Sequence, residues 1–365
     1  MRKLLILCVL VIVIVGAIPA LTLAQDDDME AWTCPEGFEG QTLSVFNWST
    51  YVADDTVPNF EELCGVEVIY DVYESNESML ERIREGNPGY DIIVPTDYTI
   101  AIMADEGLLE PLDLDLIPNI ANIGEQFLGV PYDPENQWSV PYQWGTVGVG
   151  YNVNDVEGGE ITSWSQMFDH DGSVAWLEDP RAMIAIGLVM LGHDPNTGDV
   201  GEIEEARDYM IEHSSNVVAI AADDGQVLLE RGDVDITVEY SGDIFQIMDE
   251  CECEDFAYAI PSEGSTVWID NLAIPIDAPN VELAHVFIDY ILDAHVGADI
   301  SNYTAYASPN QAAIDMGLID EDYLSDPSIY PDEETTERLF FIAEDADTEQ
   351  IYLDAWDEII IFSGQ

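Results

Sequence analysis

The sequence predicts an α/β protein of about two domains, with largely parallel sheets. Three observations carry that prediction. From Thr42 onward, short apolar runs alternate with longer stretches of helical periodicity. The chain has 365 residues, roughly twice an ordinary domain. Polar and aromatic residues recur where the apolar runs stop. Apolar residues make up 47% and aromatics 10%, and both fall in periodic segments, so the chain can bury a core rather than remain disordered.

Taken in order, TLSVFNW (Thr42–Trp48) predicts a strand, VPNFEELC (Val57–Cys64) a short helix and VEVIYDVYE (Val66–Glu74) a strand. SNESMLERIREG then predicts a helix capped by Ser75 or Asn76 and stopped by Gly86. YDIIVPT (Tyr90–Thr96) predicts a buried strand ended by Pro95. The rhythm returns in SVAWLEDP before RAMIAIGLVMLG, in VDITVEYSG before DIFQIMDE, and in TVWIDNLAIPI before VELAHVFIDYILDAHV. At the C-terminal ends of these strands lie Trp48-Ser49, Thr96-Asp97-Tyr98, Asp179 and Tyr240 to Asp243. Open α/β sheets bind ligands outside those ends, so the pattern argues for a shared crevice.

The first residues have a different character. Arg2 and Lys3 precede an apolar run and small residues, the layout of a secretory signal peptide over 1–24. An uncleaved anchor is the alternative, although the run is short for a span and Pro19 interrupts it. Residues 25–41 read as an acidic N-terminal linker. Beyond residue 24 there is no lysine, and six arginines face 75 acidic residues. Such a chain cannot neutralise phosphates, which excludes nucleic-acid binding, and it attracts cationic solutes. For most of these carboxylates a solvated surface is reason enough. Cys34, Cys64, Cys251 and Cys253 allow three pairings in an oxidising compartment, and Cys34 with Cys64 is the expected one.

Catalytic motifs are missing: no G-x-S-x-G, phosphate loop, H-E-x-x-H or G-x-G-x-x-G opening a helix. The histidines at 170, 193, 213, 285 and 295 are scattered, and CECE lacks a nearby histidine for zinc. No cofactor, no metal and no enzyme activity are therefore expected. What remains is a set of aromatics and carboxylates: Trp48, Tyr51, Tyr98, Tyr240, Trp268 and Tyr306 with Asp179, Asp243 and Asp270. Rings and carboxylates together replace the lost hydration of an ammonium group. Each aromatic alone is ordinarily core; the case rests on joint placement.

The motifs FNWSTYV, VIYDVYESNESM, YDIIVPTDY, VPYQWGTVGVGYN, VWIDNLAIP, YASPNQAA and LSDPSIYPDEE resemble those of the spermidine/putrescine-binding proteins of bacterial ABC importers, collinearly from about Thr42 to Ile361. The resemblance implies a type-2 periplasmic-binding-protein fold, two α/β lobes with a ligand cleft between them. It further implies an extracytoplasmic monomer that delivers a polyamine (putrescine or spermidine) to the membrane permease subunits of an ABC transporter. On that reading lobe 1 is 42–146 plus 268–312 and lobe 2 is 147–267 plus 313–365, with crossings near Gly145–Val147, Thr266–Trp268 and Ala312. The ligand-binding residues it implies are Trp48, Ser49, Tyr51, Thr96, Tyr98, Asp179, Tyr240, Asp243, Trp268, Asp270 and Tyr306. Three positions depart from the usual polar residues of the family: Thr50, Ala182 and Ile342. They leave ligand length and amine number open. The alternatives are a binder of another organic cation in the same fold and a secreted carboxylate-dependent hydrolase.

Overall fold

The computed structural model describes residues 31–251, 253–343 and 348–364. The expected signal peptide and the first part of the acidic linker lie outside the described residues. β1 (Thr42–Trp48), α1 (Thr56–Cys64) and β2 (Glu67–Tyr73) follow the sequence pattern. In α2 (Asn76–Arg84) Ser75 is the cap, its side chain accepting from the Ser78 amide. β3 is only Ile92–Ile93, wholly buried, and leads into α3 (Asp97–Glu106). A long strand, β4 (Ser139–Asn152), precedes α4 (Trp164–Phe168), β5 (Val174–Leu177) and α5 (Pro180–Leu191). Then come α6 (Val200–Glu212), β6 (Val217–Ala221), α7 (Gly225–Glu230), β7 (Ile236–Tyr240) and α8 (Ser241–Cys251). β8 (Phe256–Ala259) and β9 (Ser265–Ala273) follow. The helical run VELAHVFIDYILDAHV divides into α9 (Val281–Ile291) and α10 (Ala294–Thr304), because Asp293 caps a new helix at the His295 and Val296 amides. β10 (Leu339–Phe340) and a helix over Glu349–Ser363 complete the described chain.

The strands run β2-β1-β3-β9-β4-β7-β5-β6, with β8 on β4 and β10 on β9. Parallel pairing joins β1 to β2 and β3 at one end and β5 to β6 and β7 at the other. The centre is antiparallel, which the sequence pattern did not reveal: β4 and β9 pair antiparallel with each other, β9 so with β3, and β4 so with β7 and β8. The cause is connectivity. β4 pairs with β9 over Ser139–Thr146, then changes partners to β7 from Val147 to Tyr151. β9 changes likewise, from β10 at Ser265–Thr266 to β4 from Val267. These two strands carry the chain out of one parallel group, into the other, and back.

Apolar side chains fill both groups. Leu43, Ile92, Ile93, Ile100 and Met103 are fully buried on the first side, and Trp164, Trp176, Met183 and Ile236 on the second. Thr33 to Gly40 is less free than a linker: Cys34 is bonded to Cys64, and the Gly40 amide donates to the Gly65 carbonyl at 2.7 Å. Cys251 is bonded to Cys253. Closing a 30-residue separation restricts the unfolded chain, so replacing Cys34 and Cys64 by serine should lower stability by about 2–4 kcal/mol. Urea unfolding of the two proteins checks this; equal midpoints would show the bond is dispensable.

Candidate functional site

Strand ends and helix starts converge on one cavity. Trp48 closes β1, with Ser49, Thr50 and Tyr51 in the loop after it. Thr96 is the residue before α3, and Asp97 and Tyr98 form its first turn. Asp179 caps α5, accepting from the Ala182 amide at 2.9 Å. Tyr240 ends β7 and Asp243 lies in the first turn of α8. Trp268 and Asp270 alternate along β9, and Tyr306 follows α10. All eleven residues singled out by sequence line a single space of about 540 Å³, its open mouth included.

The rings form a continuous wall. Centroid separations are 6.2 Å for Trp48–Tyr240, 5.7 Å for Tyr240–Trp268, 5.3 Å for Trp268–Tyr306 and 5.1 Å for Tyr306–Tyr51. These neighbours meet edge to face, at interplanar angles of 67° for Trp48–Tyr240, 86° for Tyr240–Trp268 and 88° for Tyr51–Tyr306. Trp48 is fixed by its indole N–H, which donates to the Val94 carbonyl at 2.9 Å. Two glycines permit this packing. A methyl on Gly242 would lie 2.5 Å from the Tyr306 ring, and one on Gly145 2.7 Å from the Trp268 ring. Two residues without that freedom hold left-handed backbone: Thr50 (φ 46°), between Ser49 and Tyr51, and Ala305 (φ 56°), just before Tyr306. Such conformations persist only where surrounding contacts enforce them.

Carboxylates stand among the rings at several places. Asp270 accepts from Thr96 Oγ1 at 2.7 Å, and Thr96 is held by Asn76 Nδ2 at 2.8 Å. Asn76 also reaches the Tyr98 hydroxyl at 3.0 Å. Asp97 accepts from the Ile269 and Tyr98 amides. Asp243 accepts from the Tyr306 hydroxyl at 2.6 Å and from Thr50 Oγ1 at 3.1 Å. Ser49 Oγ donates to Asp223. Sequence reasoning overlooked Asn76, Asp223 and Thr266 as cavity residues, and placed Asp97 at the crevice edge without counting it among the ligand-binding residues. The signal for Asp223 was present: it follows β6, another strand end, in a segment whose short run VVAIA is easily passed over. Ile342 also lines the space and offers it no polar group.

Burial governs the protonation of these acids. It pushes Asp270 up to about 7 against the hydrogen bond from Thr96. Asp97 rises to about 8, burial outweighing its two amide donors. Burial takes Asp243 to about 6 despite Tyr306 and Thr50, and takes Glu77 to about 7 with help from the charge of Asp179. Asp179 and Asp223 are raised for the same first reason, Asp223 further by Asp243. Arg181 points its guanidinium elsewhere, over the Tyr352 ring at 4.1 Å and onto the Ala343 carbonyl at 2.9 Å. Among the described residues no group of metal-ligating side chains is arranged to hold an ion. The site thus combines desolvated carboxylates with π faces; no arginine or lysine lines it among the described residues, and Arg181 acts by its charge on Asp179.

The comparisons with known proteins agree with this geometry. Residues 55–329 match the model of the bacterial extracellular solute-binding protein family. The chain belongs to that family. It is 30% identical to the putrescine-binding periplasmic protein PotF of Escherichia coli, over 88% of this chain and 92% of that one. It is 32% identical to the spermidine/putrescine-binding periplasmic protein of the same species, over 81% and 85%. Among solved structures it is similar to the spermidine/putrescine ABC transporter substrate-binding protein PotD of Streptococcus pneumoniae, with a TM-score of 0.74, 32% identity, and coverage of 89% of this chain and all of that one. The fold is the two-lobe α/β fold of periplasmic binding proteins, as expected from the sequence. No helix among the described residues is long and apolar enough to cross a membrane.

A pH dependence follows. Unfolded aspartates ionise near pH 4, whereas these ionise between about 6 and 8 when folded. The folded state therefore binds more protons from about pH 4 until these groups ionise. Their contribution to ligand-free stability should be greatest below about pH 4, fall as pH rises from there, and level off above about pH 8. Melting temperatures from pH 5 to 8.5 should show this fall in the wild type and a shallower one in Asp270→Asn. Identical slopes would mean that Asp270 does not titrate in this range.

Proposed function

We propose that this chain is the solute-binding component of an ABC importer and takes a linear di- or triamine into the cavity. The observation that carries the reading is the meeting of five aromatic rings and several buried carboxylates around one space. Methylenes would lie on indole and phenol faces, each ammonium–ring contact contributing about 0.5–2 kcal/mol. Ammonium groups would return Asp270 and its neighbours to the ionised state. The names of the relatives support the same ligand class, and a family of solute-binding proteins supports a role without catalysis.

We place the lobes at 42–146 with 268–312 and 147–267 with 313–365, two of the boundaries falling within one residue of where β4 and β9 change partners. Trp48, Tyr98 and Asp270 then belong to the first lobe and Asp179, Tyr240 and Asp243 to the second. Ala305 and Ala307 pack with Ile244 and Phe245, which sets Tyr306 at the seam. A ligand touching both lobes favours the shut arrangement by its own contact energy, and the permease reads that arrangement. Secretion to the extracytoplasmic face, and a monomeric working form, complete the reading.

A thermal-shift panel of putrescine, spermidine, spermine and monoamines tests it. A true ligand at 100 times its Kd adds about 2.7 kcal/mol of stability. Stabilisation by monoamines equal to that by diamines would favour a different organic cation, and turnover of a glycoside or ester would favour a hydrolase. In titration calorimetry Asp270→Ala should weaken binding at least about 100-fold, since it strands a buried ammonium. Trp268→Ala should weaken it about 2- to 30-fold. Wild-type affinity in Asp270→Ala would overturn the assignment.

A further inference from the structure

Two carboxylates line the cavity, and adjacent residues of one loop meet them. Ser49 Oγ donates to Asp223, which follows β6, while Thr50 Oγ1 donates to Asp243 on α8 at 3.1 Å. The Tyr306 hydroxyl takes the second oxygen of Asp243 at 2.6 Å. Both acids line the cavity, and Asp243 is 3% exposed. The cavity wall also holds Thr266 Oγ1, which is buried without a hydrogen-bond partner and can accept from an ammonium.

The titratable groups acting on this pair are acidic or phenolic, and Gln246 Nε2 adds an amide donor to Asp243 at 3.4 Å. Glu239 on β7 is fully buried and feels both acids, Glu74 after β2 acts on Asp223, and Tyr73, Tyr240 and Tyr306 lie within the same field. Serine and threonine hydroxyls can satisfy lone pairs but cannot cancel charge. Two carboxylates sharing a low-dielectric pocket cannot both ionise unless a proton or a cation intervenes. An ammonium, with three N–H donors, can serve both acids at once.

We propose that Asp223 and Asp243 act as a two-carboxylate seat for one terminal ammonium of the ligand, and that the ammonium displaces a shared proton as it arrives. This inference rests on the polyamine reading above and adds Asp223 as a specificity-determining residue. The seat makes one end of the cleft select a full positive charge. A neutral end, such as an amide, would leave the proton in place and gain no charge-assisted bond.

Calorimetry with putrescine at pH 7, in two buffers of different ionisation enthalpy, reads both affinity and proton release. The wild type should release protons on binding. Asp223→Asn should bind about 10- to 100-fold more weakly and release about one proton fewer. Its ligand-free melting temperature should equal or exceed that of the wild type, because the like-charge contact is gone while the amide still accepts from Ser49. Asp223→Ala should show the same loss of affinity and proton release. A residue that merely held the loop through Ser49 would lower the melting temperature and leave proton release unchanged. Wild-type affinity and proton count in both variants would overturn the seat and leave the polyamine reading intact. Failure of the wild type to bind any di- or triamine would overturn the two together.

Discussion

The structure depends on one unbalanced interaction: carboxylates withdrawn from water and set among aromatic rings, with protons as their only counter-charge. Asp97, Asp243 and Asp270 are each at least 95% buried, yet the arginine nearest this region is occupied by Tyr352 and Ala343. Burial of this kind opposes folding, and only hydrogen bonds and protonation make it tolerable. The hydroxyls of Thr96, Thr50, Ser49 and Tyr306 each donate to one of these acids or to Asp223. They lower the cost without removing the charge. A protein optimised for stability alone would fill such a space with leucine, so retaining the acids argues for a cation supplied from outside.

The fold explains how so many separate segments reach one place. Parallel strands end on a common edge, and the helices that follow begin there, so amide N–H groups and capping side chains point into the same volume. Asp179 shows the economy of this arrangement. One oxygen caps α5 through the Ala182 amide, and the carboxyl still lines the cavity. Asn76 does similar work at one remove, fixing Thr96 and Tyr98 and, through Thr96, the orientation of Asp270. The central strands β4 and β9 then join the two halves directly beneath the rings, with Trp268 and Asp270 carried on β9 itself.

How much of this was legible in the sequence follows from the range of each signal. Strand and helix periodicity is local, so β1, α2, β7 and α9 were readable, as was the convergence of strand ends. The antiparallel centre was not, because whether β4 crosses to a second group depends on partners far along the chain, as Val147 with Tyr240 and Ser139 with Ala273 show. The split between α9 and α10 was missed because the apolar period runs straight through it; only Asp293 marks the break, and one aspartate among 75 acidic residues is a faint mark. That same abundance hid Asp223. Its role is visible only when Ser49, 174 positions earlier in the chain, is found against it. The aromatics were easier to pick out, because tryptophan is scarce and two of the eight stand at strand positions facing the cleft.

The excess of acid outside the site has a separate consequence. A formal charge of −67 draws every cation toward the surface, sodium and polyamine alike, and this attraction fades beyond about 8–10 Å at ordinary salt. It can raise the rate of encounter but cannot choose between solutes, because it responds to charge alone. Selection must come from groups that respond to shape and spacing. A small hydrated ion gains little from a ring wall, since it does not readily give up its water. A linear amine brings methylenes that prefer the rings to water and ammonium ends separated by a fixed length. The aromatic wall between acids therefore discriminates where the surface cannot. The acids supply charge, and the rings between them determine which cations can deliver it.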